Sequence, residues 1–471
     1  MPNSVPTDRR RRAGNPPRRS LRKSLRRTRC LAALFAAVTL TVTGCAGAGE
    51  LTGGGNDSVT IAIVSNSQMQ DAISLAPQFE RENPGIKLKF TSLSENEARA
   101  KITASVATGG GEFDVVMISN YETPQWAANG WLVDLDPYMA ATPGYDKADF
   151  IPSLQKSLSY QGNMYSVPFY GESSFLMYRK DLFAKAGITM PDHPTWQQVA
   201  SWAAKLNTPD LAGICLRGDP GWGEALAPLT TMINTFGGRW YDENWNAQLT
   251  SPADTRAVQF YVDLVRKYGE PGAATAGFGE CATQFSQGHA AMWYDATSAV
   301  GVTEDPQSSK VVGEVGYAPA PVEQTANSGW LYTWSLGIPK TSHKTDAAWK
   351  FVSWMTSKQY IRSVGQQLGW THVPPGSRLS TYDIPEYKKI STAYGPVTLS
   401  AMAAADPDHP TVQPVPYTGV QFLAIPEFQD LGTRVSQQIS AAIAGQISVP
   451  AALAQSQQYA EVVGKTYRKD S

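Results

Sequence analysis

Residues 163–182 read Asn-Met-Tyr-Ser-Val-Pro-Phe-Tyr-Gly-Glu-Ser-Ser-Phe-Leu-Met-Tyr-Arg-Lys-Asp-Leu. Two apolar, strand-like runs, 165–169 and 175–178, flank a short polar segment holding Tyr170, Gly171 and Glu172. The chain is expected to leave one packed body here and enter another, so the segment reads as a hinge that carries a carboxylate. Before it, strand and helix patterns alternate; after it they resume with different lengths, which is how two α/β lobes on one chain read. A site is expected between them.

Upstream, 59–64 is a strand-like run, and Met69, Ile73, Ala76 and Phe79 recur at helical spacing. Ile86, Leu88 and Phe90 alternate, Ala98, Ile102 and Val106 recur as a second helical stripe, and 115–118 is continuously apolar. This β-α-β-α-β order predicts an open sheet, and such sheets place ligands beyond the carboxyl ends of their strands. The loops to watch are therefore 65–68, 92–97 and 119–122. Their Asn66, Ser94 and Asn120 are equally the residue types that cap helices and turns.

Downstream, Thr195 and Gln198 form a capping box for a helix over Trp196–Leu206. A short strand is predicted at 213–216. It leads into Arg217-Gly218-Asp219-Pro220-Gly221-Trp222-Gly223-Glu224, a polar, glycine-rich loop that feeds a helix ending at Thr235. Glycine and proline alone mean only a turn, but Arg217, Trp222 and Glu224 within eight residues suit a polyhydroxyl ligand. A strand over 290–294 runs directly into Asp295, and Trp330, Tyr332 and Trp334 share one face of a strand over 330–338 by alternation. Trp349 and Trp354, on a helix over 346–355, read as core.

The first 44 residues stand apart as a signal peptide. Eleven Lys/Arg precede the apolar run 31–42, which is too short to span a bilayer and right for a signal segment. It ends in Val42-Thr43-Gly44-Cys45, which resembles a bacterial lipobox and predicts acylation of Cys45; 45–58 then reads as a lipidated, Gly-rich tether. Arg18-Arg19-Ser20-Leu21-Arg22-Lys23 loosely resembles a twin-arginine signal. Without residues 1–45 the chain carries 29 basic and 40 acidic side chains, a net charge of −11, which argues against nucleic acid and against polybasic membrane binding. The remaining length of about 410 residues exceeds what one core usually supports and favours two domains.

Catalytic signatures are absent: there is no Gly-x-Ser-x-Gly, His-Glu-x-x-His, phosphate-binding Gly-x-x-x-x-Gly-Lys-Ser/Thr or complete Gly-x-Gly-x-x-Gly. The five histidines have no metal-ligand spacing. Asp242, Asn244 and Asn246 imitate the start of a calcium loop, but Ala247 and Ala253 stand where the motif needs Gly and Glu, so a turn is expected. No cofactor or metal is called for. Glu172, Glu224 and Asp295 could converge as the carboxylates of a glycoside hydrolase, which is the alternative to a binding function.

Segments 168–183, 213–222, 234–240, 291–295, 330–339, 369–376 and 411–428 together resemble the substrate-binding lipoproteins of bacterial ABC sugar importers, extracellular solute-binding family 1, and most of all its sorbitol/mannitol branch. The resemblance implies two α/β lobes joined by three crossing segments, 59–168 with 336–375 and 169–335 with 376–471, closing on a polyol or sugar that is passed to permease subunits. It carries over as ligand-binding residues Asn66, Asn120, Tyr121, Tyr170, Glu172, Arg217, Trp222, Glu224, Asp295, Trp330, Trp334 and Trp370. Cys215 fits the pattern while Cys281 departs from it, so their pairing stays open and two free thiols are the expectation. The chain is expected to act as a monomer. Replacing Cys45 by Ala should release the exported protein from the membrane fraction; a variant that fractionates with membranes as fully as wild type would refute the anchor.

Overall fold

The structure is a computed structural model that describes residues 57–468. The signal peptide, Cys45 and all but the last two residues of the expected tether lie outside the described residues; residues 57 and 58 already belong to the first strand.

Among the described residues ten strands follow in order: β1 Asp57–Val64, β2 Ile86–Leu93, β3 Val115–Ser119, β4 Ser159–Tyr160, β5 Asn163–Met164, β6 Ser166–Glu172, β7 Ser174–Arg179, β8 Met292–Ala296, β9 Val315–Pro319 and β10 Tyr332–Gly337. The first sheet has the order β2-β1-β3-β10-β6, the second β8-β7-β9, and β4 and β5 form a separate hairpin. Within the first sheet β1 runs parallel to β2 and β3, with helices α1 (Ser67–Glu82) and α2 (Glu95–Ala107) as the crossovers. β10 lies antiparallel between β3 and β6.

Sequence dictates these positions. Val59, Ile61, Ala62 and Ile63 are all buried, because an inner strand is covered on both faces. β2 keeps Ile86 inside and exposes Lys87 and Lys89, a charged edge that resists further pairing. Phe79 of α1 packs edge-on against Phe351 and at a tilt against Trp354 of the helix Thr345–Met355; of the two tryptophans expected in the core, Trp349 is buried and Trp354, half-buried, packs against the core. Between β6 and β10, Trp334 pairs with Tyr170 while Ser335 pairs with Pro168, leaving Phe169 as an extra residue. Pro168 has no N–H to donate, and the bulge absorbs the missing bond.

The opening stretch crosses between the sheets, but not through a polar loop. Tyr170, Gly171 and Glu172 are strand residues of β6, and Ser173 alone separates the first sheet from β7 of the second. The backbone there is fixed by the Thr297 hydroxyl accepting the Ser173 N–H at 3.1 Å and by the Thr297 N–H donating to the Ser173 carbonyl at 2.8 Å. Beside it Gly171 donates to the Pro375 carbonyl at 3.2 Å, and Gly376 sits at φ +70° with its Cα against the Gly171 carbonyl, so neither position has room for a side chain.

Other elements differ in detail. The strand expected over 213–216 is not formed: Cys215 joins β8 only through an isolated bridge to Trp293, and Ala212 just before it bridges to Ala290 just before β8. Asp295 belongs to β8 rather than following it. The capping box at Thr195 and the helix Leu226–Thr235 are as expected. Asp242 accepts the Asn244 and Asn246 N–H groups in a turn.

The two cysteines expected free are joined: Cys215 and Cys281 form a disulfide with Cα atoms 5.6 Å apart. The intervening segment goes out through the helices Leu226–Thr235 and Pro252–Tyr268 and returns in the helix Phe278–Ser286, which leads into β8; Cys215 is held against that same strand by its N–H bond to the Met292 carbonyl. That return path is tertiary and leaves no mark in the spacing.

Phe79→Ala should cost about 3–5 kcal/mol, the usual loss for a fully buried phenylalanine, measured as a fall in the urea unfolding free energy. A loss below about 1 kcal/mol would mean that the α1 face is not closed by Phe351 and Trp354.

Candidate functional site

A cleft of about 680 Å³ lies where the carboxyl ends of β1 and β2 face the loops beside the second sheet. That size falls within the roughly 300–1,000 Å³ typical of small-molecule sites. β1 ends in the loop carrying Asn66, the N-cap of α1: its side-chain oxygen accepts the Met69 N–H at 2.9 Å, and its amide donates to the Tyr170 hydroxyl at 3.0 Å. Capping and cleft-lining are thus one conformation of Asn66. β6 and β10 contribute Tyr170, Glu172, Tyr332 and Trp334, because Tyr332 pairs with Glu172 and Trp334 with Tyr170 on the same face.

Two arginines dominate the charge. Arg217 makes a two-pronged bond to Asp295, Nε to Oδ2 at 2.8 Å and a terminal nitrogen to Oδ1 at 2.6 Å, and its other terminal nitrogen reaches the Gly223 carbonyl at 2.9 Å and Glu224 at 3.3 Å. Asp295 also accepts the Trp293 indole N–H at 3.1 Å and the Ala296 N–H at 2.7 Å. Arg99 donates to Glu95 at 2.7 Å, Glu122 at 3.2 Å and the Tyr332 hydroxyl at 2.6 Å, and its guanidinium lies over the rings of Trp222 and Trp334 at 4.1 and 4.7 Å. Both charges are spent inside the protein.

The carboxyls facing the space behave differently. Burial pushes Glu172 up to about 8, against the lowering effect of the Ser298 hydroxyl that donates to it at 2.5 Å and of Arg217. Burial, reinforced by the nearby Glu95, pushes Glu224 up to about 8 as well, although Phe278 N–H and Arg217 oppose this. At neutral pH both are protonated in part and so can donate as well as accept, which suits hydroxyl groups. Trp330, Trp222 and Gln421 line the cleft too, and among the described residues the indole nitrogens of both tryptophans and the Gln421 oxygen are buried without a partner.

Eight of the twelve residues carried over from sequence line this cleft: Asn66, Tyr170, Glu172, Arg217, Trp222, Glu224, Trp330 and Trp334. Asp295 stands behind Arg217 and aims it. The other three lie elsewhere. Asn120 ties β3 to β10, accepting the Thr333 N–H at 2.9 Å. Tyr121 donates to the Ile425 carbonyl at 3.0 Å, and its ring contacts Phe422 and Phe428. Trp370 packs on Gly365, where a Cβ would meet its ring at 2.4 Å.

Sequence reasoning named neither Arg99 nor Ser298, and it marked Gln68, Glu95 and Asn96 only through their loops, 65–68 and 92–97. Glu95, Asn96 and Arg99 sit in the first two turns of α2, Arg99 just past the marked loop, and the signal for it was a Glu95/Arg99 pair four apart at a helix start that follows a parallel strand. Asn96 and Gln68 reach across the cleft, Asn96 donating to the Pro220 carbonyl at 2.9 Å and Gln68 to the Ser298 carbonyl at 3.3 Å.

Two α/β bodies bridged by crossing strands, with a polar and aromatic cleft at the bridge, define a solute-binding protein. A model of the bacterial extracellular solute-binding proteins matches residues 64–361, and the chain belongs to that family. A mannitol-binding protein of Pseudomonas aeruginosa is 43% identical over 407 residues, covering 86% of this chain and 92% of that protein. An ABC transporter solute-binding protein from Agrobacterium vitis S4, solved with bound D-mannitol, is 45% identical with a TM-score of 0.86, covering 88% of this chain and 100% of the other. A ribitol complex from Agrobacterium radiobacter K84 is 25% identical with a TM-score of 0.75, covering 86% and 98%. The fold is the two-lobed one of these proteins, and the chain is a binding protein, not an enzyme. The glycoside-hydrolase alternative is set aside on this ground, and Asp295, one of its three carboxylates, is in any case committed to Arg217. Among the described residues no helix is long and apolar enough to cross a membrane.

Glu172 and Glu224 give the protein a pH signature. A carboxyl near 8 in the folded chain and 4.5 in the unfolded one keeps a proton in the folded state that the unfolded state has lost, so stability falls as pH rises from about 4.5 to about 8 and levels off above. Urea midpoints taken across that window should decline for the wild type and decline less steeply for Glu172→Gln; equal slopes would show that Glu172 is ionised in the folded protein.

Proposed function

We propose that this chain is the solute-binding component of an ABC importer, that it binds a neutral hexitol of the mannitol type, and that lipid on Cys45 holds it at the outer face of the membrane as a monomer serving permease subunits. The observation that carries the ligand class is the charge balance of the cleft: both guanidiniums are matched by carboxylates, while indole faces, amides and carboxyls near neutrality remain. An anionic ligand would find no unspent positive charge among the described lining residues, where both guanidiniums are already paired. A polyol needs many donors and acceptors in a fixed pattern and apolar faces against its C–H surface. The mannitol names of the two relatives above 40% identity support the same class.

On this reading the lobes are 59–168 with 336–375 and 169–335 with 376–471, and the ligand favours the closed form because it gains contacts with both. Asn120, Tyr121 and Trp370 then support the site's walls rather than touch ligand. The negative net charge of the mature chain leaves lipid as the means of attachment.

Calorimetry should find one mannitol bound per chain with a dissociation constant of order micromolar, about −8 kcal/mol, and mannitol recovered afterwards unchanged. Trp330→Ala should cost about 2 kcal/mol of that, and Glu172→Ala roughly 1–3 kcal/mol through ligand hydroxyls left unpaired. Asp383→Ala and Glu386→Ala, both exposed, should be silent. Clear preference for a disaccharide over mannitol, arabitol and sorbitol would overturn the polyol reading and leave the family intact.

A further inference from the structure

The Cys215–Cys281 disulfide has a third neighbour that the fold does not require. Glu270 follows the helix Pro252–Tyr268, and the Tyr268 carbonyl accepts the N–H groups of Gly213 at 2.8 Å and Ile214 at 3.2 Å, which sets the turn after that helix against the segment bearing Cys215. A ligand atom from each of Cys215, Glu270 and Cys281 lies within 4.8 Å of the others. Glu270 is only 8% exposed, and neither of its carboxylate oxygens has a hydrogen-bond partner among the described residues. The sulfurs sit in an apolar cluster with Phe285 and Trp293. A disulfide has no proton to give, so a buried carboxyl beside it gains nothing from the oxidised state. Two thiolates and a carboxylate, by contrast, are a ligand set for a thiophilic divalent cation.

We propose that Cys215, Cys281 and Glu270 form a redox-gated cation site: shut as a disulfide, and a three-ligand Zn²⁺ site when the bond is reduced. A dithiol opens it. One of its thiolates attacks a sulfur of the disulfide, the other cysteine leaves as a thiolate, and the second dithiol sulfur then displaces the first cysteine to close the reductant's own disulfide. Two electrons in all pass from the dithiol to the two cysteine sulfurs, which take up two protons, the number that the dithiol's thiols give up; the cation afterwards displaces both protons. The state of this site reaches the solute cleft by a short path. Cys215 is two residues from Arg217, and Cys281 is on the helix whose Phe278, Glu280 and Ala282 line the cleft.

The test reduces the full chain with dithiothreitol, removes the reductant without oxygen, and titrates with Cd²⁺ alone, following thiolate-to-cadmium absorbance in the ultraviolet, with Zn²⁺ confirmed by equilibrium dialysis. The full chain also holds Cys30 and Cys45, so Cys215→Ser/Cys281→Ser supplies the background. One extra cation per reduced chain above that background, none in the oxidised chain, and at least tenfold weaker binding by Glu270→Gln with unchanged circular dichroism are the expected results. If thiol counting shows that the folded chain resists the dithiol, the chain is reduced in denaturant and refolded with Cd²⁺. Failure to retain one equivalent in either form, or equally tight binding by Glu270→Gln, overturns the proposal.

Discussion

The Arg217–Asp295 pair is the interaction on which the cleft depends. Both groups are almost wholly withdrawn from water, and burial alone would lower the arginine's affinity for its proton; the two-pronged contact with Asp295 reverses that and holds it well above its usual range. Buried pairs offset their desolvation only when the remaining donors and acceptors are met. Here Trp293 and Ala296 complete the carboxylate, and Gly223 and Glu224 complete the guanidinium. Three pieces of chain, 217, 223–224 and β8 at 293–296, are therefore fixed by one ion pair. Removing either partner would leave a buried charge, at a cost of about 3–5 kcal/mol.

Arg99 does the same from the other side with different means. It is held by Glu95 and Glu122 and lies over two indoles, and Glu122 in turn is fixed by the N–H and hydroxyl of Ser119 at the end of β3. Each wall thus carries a neutralised arginine. If the cleft is the solute site, as proposed, the pattern of neutral donors and acceptors left over, together with ring faces, is what would discriminate among solutes.

Much of this was legible in the chain. Strand and helix order up to β3 followed from spacing alone, since the inner strands are apolar on both faces and the helices carry clean stripes. The loops after β1 and β2 were marked as ligand loops by their position. What could not be seen was tertiary. Tyr121 and Trp370 are aromatic residues near the right loops, yet neither lines the cleft, Tyr121 packing behind its Trp222 wall, and no local signal distinguishes a stacking ring from a core ring. The Cys215–Cys281 bond depends on where a long excursion returns. Arg99 was hidden because a helix places its second turn beside the loop that precedes it, a matter of rise per residue that a search confined to loops overlooks. Tyr170–Glu172 read as a short polar hinge between two strands because Gly and Glu are poor strand formers, but pairing with β10 overrides that preference.

The stacking of Arg99 over Trp222 and Trp334 has an optical consequence. Indole emission depends on the field and the water around the ring, and these two indoles stand on different elements, one in the loop that leads to the helix Leu226–Thr235 and one in β10. Any change in the separation of the walls alters the position of a full positive charge over at least one of them. On the proposed reading of the cleft, the protein would be its own indicator, with a fluorophore pair seated in the walls and no dye to attach.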